Sequence, residues 1–107
     1  MTYSVYSTET FDEEIKKLSG DYHGRIVKLY LKLKENPYVG DQLKYKFLRE
    51  KRLDEKRIYF LVYDDLKSVL IVAISGKKNQ QETINHIIKN FDEYKIYMEK
   101  LLEKERN

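Results

Sequence analysis

Apolar residues alternate with polar ones at the start of the chain and then recur at helical spacing. The alternation over residues 2–8, TYSVYST, is typical of a half-buried strand. Two helical stripes follow, one ended by Ser19-Gly20 and the other by Asn36-Pro37. Two helices joined by a glycine-containing turn form an αα-hairpin. The stripes consist of Phe11, Ile15 and Leu18 in the first helix and of Tyr22, Ile26, Leu29 and Leu33 in the second.

Polar residues at the helix starts predict where each helix begins. Thr10, three residues before Glu13, has the spacing of a capping box, and Asp21 is placed to cap the second helix. Asn79, three residues before Glu82, has the same spacing and predicts a further helix near the end of the chain.

Between these helices the pattern changes to that of strands. The basic segment 44–53, KYKFLREKRL, predicts a strand of uncertain register, and 56–63, KRIYFLVY, alternates with a period of two. Ser68 to Ser75 is a run of Val, Leu and Ile. If only one face of the middle strand contacts the helices, Arg57 and the tyrosines beside it lie on an open face where a polar ligand can bind.

The last apolar stripe predicts one helix from Asn79 to about residue 105, roughly 39 Å long. That is longer than a domain of this size needs, so residues 91–107 are expected to form a helical extension. We expect this extension to contact a partner or a second copy of the chain, although it can also fold back along the domain. The stripe comprises Ile84, Ile87, Ile88, Phe91, Met98, Leu101 and Leu102.

The element order is therefore β-α-α-β-β-β-α, a small α+β fold. We expect residues 1–107 to form one domain, with an N-terminal strand, an αα-hairpin, an antiparallel sheet of about four strands and a C-terminal helix.

Composition narrows the classes of function. The chain of 107 residues has no cysteine and two histidines, which argues against thiol chemistry, disulfides and a Cys- or His-based metal site. No apolar run approaches the ~20 residues of a membrane span. We therefore expect a soluble cytoplasmic protein without a metal or another cofactor.

Positive charge is concentrated in one part of the chain. Residues 44–57 contain seven basic and three acidic side chains, whereas the net charge of the whole chain is only +3. If the strands are neighbours, Arg57, Lys78 and either Arg49 or Arg52 converge on one surface. Such a surface can hold phosphate oxygens and stabilise charge that develops on them. Tyr45, Tyr59 and Tyr63 lie among these cations, where they either stack on unpaired bases or fill the core.

Three segments in this order resemble the RelE/ParE superfamily of toxins. NPYVGDQL ends the helical hairpin, RLDEKRIYFLVYDD is similar to the family's strand-turn-strand with its arginines, and VAISGKK is similar to its closing strand. The resemblance covers residues 3 to about 90. It implies a RelE-like fold, a small antitoxin protein as partner, and contact with messenger RNA and the ribosome.

The resemblance also implies roles for individual residues. In the family members that cleave messenger RNA, the groups matching Arg57, Lys78 and Arg52 hold the RNA backbone and stabilise the transition state without a metal. Asp54 replaces the glycine of the family's turn, and Ile84 stands where some cleaving members place a tyrosine. The candidate RNA-binding residues are Lys44, Lys46, Arg49, Lys51, Lys77 and Tyr59.

The general base is left open. His86, Glu50 and Tyr59 are candidates, but His86 is more often a surface residue and Glu50 more often an ion-pair partner of Arg52 or a lysine. We expect a ribosome-associated toxin that cleaves messenger RNA by 2′-hydroxyl attack. The alternatives are a ParE-like toxin that inhibits DNA gyrase without cutting nucleic acid, and a family member that has lost catalysis and only binds proteins.

Overall fold

The computed structural model describes residues 2–106, which form a mixed sheet with helices on both of its faces. The α+β class expected from the pattern is confirmed. Short 3₁₀ turns cover Asp64–Leu66 and Lys77–Asn79. The strands are β1 (Ser4–Ser7), β2 (Asp41–Gln42), β3 (Leu48–Leu53), β4 (Lys56–Tyr63) and β5 (Ser68–Gly76), and the helices are α1 (Glu9–Ile15), α2 (Gly20–Glu35), α3 (Gln80–Lys89) and α4 (Phe91–Arg106).

The sheet has the order β1-β5-β4-β3-β2 over the described residues. Strand β1 runs parallel to β5, and the other neighbours are antiparallel. The sheet therefore has one strand more than predicted and is not purely antiparallel. The additional strand, β2, pairs only two residues with β3, which is too short for a hydrophobic period to reveal it.

The two central strands are buried on both faces. In β4, Ile58 and Phe60 pack on the α1–α2 side, while Tyr59 and Leu61 pack on the α3–α4 side, and all four are at most 1% exposed. The expectation that one face of this strand is open is therefore wrong. Helices α3 and α4 cover that face and build a second hydrophobic core on it.

The C-terminal segment is two helices rather than one, because the chain breaks at Asn90. The Asn90 backbone N–H donates to the carbonyl of Ile87, and its side-chain amide donates to the carbonyl of His86, which ends α3. Helix α4 then packs on the second core, where Met98 is completely buried. Residues 91–106 are therefore part of the fold, and this corrects the expectation that their apolar stripe is left for a partner or a second copy. Leu101 and Leu102 pack against the same core.

Two of the predicted helix starts shift by one or two residues. Thr8, not Thr10, caps α1, since the Thr8 hydroxyl accepts a hydrogen bond from the Phe11 backbone N–H. Helix α2 begins at Gly20, one residue before the predicted cap. Asn79 occupies the predicted position before α3, but its side chain makes no capping hydrogen bond there.

The turn between β3 and β4 forms without a glycine. Leu53 pairs with Lys56, so Asp54 and Glu55 make a two-residue loop, and Asp54 has a left-handed φ of 55°. Aspartate adopts this region more readily than most residues. The Asp54 carboxylate also binds Arg25 of α2 at 2.7 Å, which fastens the hairpin to the helical layer.

No helix within residues 2–106 is both long enough and apolar enough to cross a membrane.

Replacing Met98 with alanine should lower the free energy of unfolding by about 2–5 kcal/mol, because it leaves a cavity under α4. The matched change Ile96→Ala on the same helix removes a side chain that is 51% exposed and should cost less than about 0.5 kcal/mol. Urea denaturation of both variants measures the difference. Equal effects would show that α4 does not pack on the sheet as described.

Candidate active site

Sheet register places the two motif arginines on one face. Arg52 is directly opposite Arg57, and Arg57 is directly opposite Ser75, so the three residues form a row across β3, β4 and β5. The next row holds Glu50 opposite Tyr59. Both rows lie on the face of the sheet that α3 and α4 cover. They are at the end of the sheet beyond the second core, where the chain turns from β5 toward α3.

Arg57 and Glu50 form an ion pair at this edge. The Arg57 Nε lies 3.1 Å from the Glu50 Oε1, and the side chains are only 13% and 10% exposed. Gln80, the first residue of α3, donates a hydrogen bond from its Nε2 to the same oxygen at 2.9 Å. Glu50 is therefore an ion-pair partner, as one reading of the sequence had it, but its partner is Arg57 rather than Arg52 or a lysine.

Burial dominates the ionisation of Glu50. Loss of solvent raises the pKa of its carboxyl above the usual value, while the charge of Arg57 and the hydrogen bond from Gln80 hold that rise back. A carboxylate with a raised pKa is a better proton acceptor than an exposed one, provided that it remains ionised.

Gly40 and Arg49 fix the backbone of the strand that carries Glu50. A Cβ atom at Gly40 would lie 2.5 Å from the Glu50 carbonyl oxygen, so only glycine lets the two segments approach this closely. Arg49 points to the other side of β3, where its guanidinium donates to the carbonyls of Gly40, Tyr38 and Lys46. This corrects the expectation that Arg49 joins Arg57 on one surface or is available for RNA, because both terminal nitrogens of its guanidinium donate to backbone carbonyls. Its Nε is buried without a hydrogen-bond partner among the described residues.

The Tyr59 ring is completely buried in the second core, and its hydroxyl lies 2.8 Å from the Ser75 Oγ. Burial, above all, raises the pKa of this phenol. This corrects the expectation that Tyr59 stacks on a base, since an inaccessible ring cannot contact RNA. Its place opposite Glu50 makes it part of the floor beneath the ion pair.

Exposed cations lie at the same end of the sheet as the pair. The Arg52 Nε donates to the Asp54 carbonyl, which leaves the rest of its guanidinium at the surface. Lys77 and Lys78 are exposed in the turn that follows Gly76, and Gly76 pairs with Lys56 beside Arg57. Arg52, Arg57 and Lys78 therefore lie toward the same end of the sheet, and their joint contact with RNA stays a prediction.

The other predicted RNA-binding lysines lie further away. Lys51 is opposite Ile58 on the α1–α2 side and lines a small crevice of about 180 Å³ with basic residues of α2. Lys44 and Lys46 are exposed in the loop between β2 and β3.

Among the tyrosines in the basic region, Tyr45 has an accessible ring. It is 40% exposed and packs with Phe47 and Phe91, with ring centroids 5.4 and 5.3 Å away. The Tyr63 hydroxyl, by contrast, is buried without a hydrogen-bond partner among the described residues, and the ammonium of Lys95 lies over its ring.

Two residues of α3 that the sequence singled out, Ile84 in the place of a tyrosine and the candidate base His86, do not contribute to the ion pair. Ile84 is buried in the second core and presents no polar group to the site. His86 lines a cleft along the β1 side of β5, whereas Glu50 is on β3, two strands away across the sheet. Glu50 is thus the candidate base that the structure places beside Arg57.

Within residues 2–106, no three His, Asp or Glu side chains are grouped as metal ligands would be.

The fold has close counterparts among solved structures. A free, doubly substituted Escherichia coli RelE toxin matches with a TM-score of 0.72 and 19% identity, covering 84% of this chain and 98% of that one. The chain has the RelE toxin fold. RelE in the archaeal RelE–RelB complex of Pyrococcus horikoshii matches this RelE-like chain with a TM-score of 0.66 and 19% identity over 72% of this chain and 97% of that one.

A third match to the RelE-like chain is the Mycobacterium tuberculosis toxin–antitoxin complex RelBE2, with a TM-score of 0.63 and 21% identity over 72% of this chain and 93% of that one. No family sequence model and no curated protein sequence matches the chain. The fold implied by the three sequence segments is therefore confirmed by structure, at identities too low to transfer individual residues.

The sequence singled out Arg52 and Arg57 as candidates but not the contacts that position them. The Arg57–Glu50 pair, the hydrogen bond from Gln80 and the close approach of Gly40 depend on the register between β2, β3 and β4. One signal was present in the sequence, since Glu50 is the single acidic residue of the basic segment 44–53.

Replacing Arg57 with alanine should destabilise the protein by on the order of 3 kcal/mol at neutral pH, because it leaves the Glu50 carboxylate buried and unpaired. The pKa of Glu50 in the folded state is already above the usual 4.5, and losing Arg57 raises it further. Above that pKa the variant must hold an uncompensated charge. Below 4.5 the carboxyl is neutral in both the folded and unfolded states, so the deficit relative to wild type should shrink.

Urea denaturation at pH 7.5 and pH 4 measures this difference. Arg52→Ala, which removes an exposed guanidinium from the same row, is the matched control and should change stability little at either pH. A deficit of the same size at both pH values would mean that the Arg57–Glu50 attraction does not stabilise the fold.

Proposed function

We propose that this protein is the toxin of a toxin–antitoxin pair and that it cleaves messenger RNA on the ribosome by 2′-hydroxyl attack. The observation that carries the proposal is the largely buried Arg57–Glu50 pair close to exposed cations, on a RelE-like fold. The pair brings together a proton acceptor, the Glu50 carboxylate, and a positive charge that can bind a phosphate, the Arg57 guanidinium.

In the proposed reaction Glu50 accepts the proton of the 2′-hydroxyl. The 2′ oxygen then forms a bond to the adjacent phosphorus, and the bond from phosphorus to the 5′ oxygen breaks. The departing 5′ oxygen takes up a proton from water. The products are a 2′,3′-cyclic phosphate and a new 5′-hydroxyl end, and Glu50 returns its proton to solvent. A positioned base contributes typically 10²- to 10⁴-fold to such a step.

Arg57 has two tasks in this scheme. Its Nε orients Glu50, and its terminal nitrogens donate to the phosphate oxygens as negative charge builds on them. Lys78 and Arg52 add exposed positive charge on either side, which attracts the RNA backbone and holds it near the pair. Lys77, Lys44 and Lys46 extend this attraction along the surface.

We propose a small antitoxin protein as the partner that restrains this activity. The solved structures with the same fold include RelE toxins in complex with RelB antitoxins. If a neighbouring reading frame encodes this partner, its co-expression should relieve the growth arrest caused by this chain and yield a stable complex on purification. Failure of every neighbouring product to bind the chain would count against this assignment.

Replacing Glu50 with glutamine should lower the rate of RNA cleavage by about 10²- to 10⁴-fold, since the amide cannot accept the proton. Lys78→Ala should lower it by about 10²- to 10³-fold through lost charge stabilisation. Primer extension on a message bound to purified ribosomes measures the rate as new 5′ ends within codons.

Glu103→Gln and Lys17→Ala, which change exposed residues outside the site, are the matched controls and should leave the rate unchanged. Melting curves of all four variants separate loss of chemistry from loss of fold. Full cleavage by folded Glu50→Gln would exclude Glu50 as the base. Inhibition of gyrase-driven supercoiling without any RNA cleavage would instead support the ParE-like alternative.

RNA binding should weaken steeply with salt, because each phosphate neutralised by Lys or Arg releases a counterion. With three or four contacts, the plot of log affinity against log salt should have a slope of about −2 to −3 on single strands. Fluorescence anisotropy of a labelled single-stranded RNA with the Glu50→Gln protein measures it without cleavage. A flat salt response would mean that this surface does not bind RNA through its cations.

A further inference from the structure

Strand β5 is longer than its neighbour β1, so part of its backbone edge is open. Strand β1 pairs only with Ser68–Ile71. The last backbone hydrogen bond between the two runs from the Thr8 N–H to the Ile71 carbonyl, and the chain then leaves the sheet to form α1. Among the described residues, the outer edge of 72–76 therefore has no strand partner.

A cleft of about 630 Å³ lies along this open edge, between the start of α1 on one side and helices α3 and α4 on the other. Its size is within the usual range of ligand-binding pockets. The floor is formed by Val72, Ala73 and Ile74 of β5, and Tyr94 and Tyr97 of α4 contribute aromatic surface. The cleft is on the β1 side of β5 and is separate from the Arg57–Glu50 pair on β3 and β4.

The charge of this cleft is opposite to that of the protein as a whole. Its lining includes Glu9, Glu14, Glu82 and Glu93 but neither lysine nor arginine, although the chain carries a net charge of +3. An anion such as RNA is therefore disfavoured here, and a cation is favoured.

We propose that this cleft binds an extended, Lys- or Arg-rich segment of a partner protein, which adds as a strand to the open edge of β5. Backbone groups of β5 supply hydrogen bonds to the main chain of the segment, and the carboxylates attract its side chains. Pairing of this edge with the same edge of a second copy is disfavoured, because it would bring two matching sets of carboxylates together. The proposal depends on the open edge and its charge and stands apart from RNA cleavage.

The geometry fixes the pattern that the segment should have. Five paired residues span about 16 Å, and alternate side chains of an added strand point to opposite faces of the sheet. One set then meets Glu9 and Glu14 on the α1 side, and the other meets Glu82 and Glu93 on the α3–α4 side. Positive residues are therefore favoured on both faces of the segment.

The probe is the fluorescein-labelled peptide KKTVKKT, which carries lysines on both faces of an added strand, measured by anisotropy with the purified full chain. We expect saturable binding that weakens with salt. Amide signals of Val72 to Ser75 should shift in NMR spectra, and their hydrogen exchange should slow. N-methylation of alternate peptide residues tests strand addition directly, because one set of methyl groups faces β5 and should abolish binding, while the other faces solvent and should not.

Glu82→Gln and Glu93→Gln should each weaken peptide binding about two- to fivefold, which corresponds to one surface ion pair. The matched changes Glu99→Gln and Glu103→Gln, on the same helix as Glu93 but outside the cleft, should have no effect. Unchanged melting temperatures establish that all four variants are folded.

Four results would overturn the proposal. These are the absence of binding at millimolar peptide, equal binding of the acidic peptide EETVEET, indifference to N-methylation on both edges, and displacement of the peptide by spermidine at the same concentration as by unlabelled KKTVKKT. The last two would indicate a site for small cations rather than for a strand. RNA cleavage is not a readout in any arm, so these results are independent of the test of Glu50.

Discussion

Burial of both faces of the β4–β5 pair is the constraint on which the rest of the structure depends. Strand β4 carries large side chains in unbroken succession from Ile58 to Val62, and each must be removed from water. One helical layer can cover only one face. The helical hairpin before the sheet covers the first face, so the chain must supply a second layer after it, and helices α3 and α4 provide this layer.

The same constraint explains why the charged pair lies where it does. The second layer ends near the start of α3, and the residues of β3 and β4 just beyond it are neither in the core nor in open solvent. At this boundary Glu50 is shielded enough to feel desolvation and still reaches both Arg57 and Gln80. Deeper burial would make the carboxylate too costly to ionise, and full exposure would remove the perturbation of its pKa.

Much of the fold could be predicted from local patterns, because apolar periodicity reports directly on which residues are buried. The stripe Ile26, Leu29 and Leu33 of α2 is buried as expected. Lys78 lies in the turn that directly follows β5, as its sequence position indicates. The choice of Thr8 over Thr10 as the cap is not local, since it follows from the hydrogen bond of the Thr8 N–H to Ile71.

The features of the site that sequence reasoning missed share this non-local origin. The partner of Glu50 depends on strand register, which a short basic segment does not specify. The burial of Tyr59 depends on the break at Asn90, since a single straight helix would have left that face of the sheet partly uncovered. The residues themselves were recognised, whereas their neighbours became known only once the strands and helices were placed together.

The close approach at Gly40 gives the site a dependence on a residue that has no functional group. Any side chain there would press on the carbonyl of Glu50 and on the ring of Phe60, so the strand would have to move and take the carboxylate with it. Such a protein could fold, keep every ionisable residue and still misplace the Glu50 carboxylate. If the proposed toxin activity holds, inactive forms that arise under selection for growth should therefore include changes at Gly40, and a search confined to charged residues would overlook them.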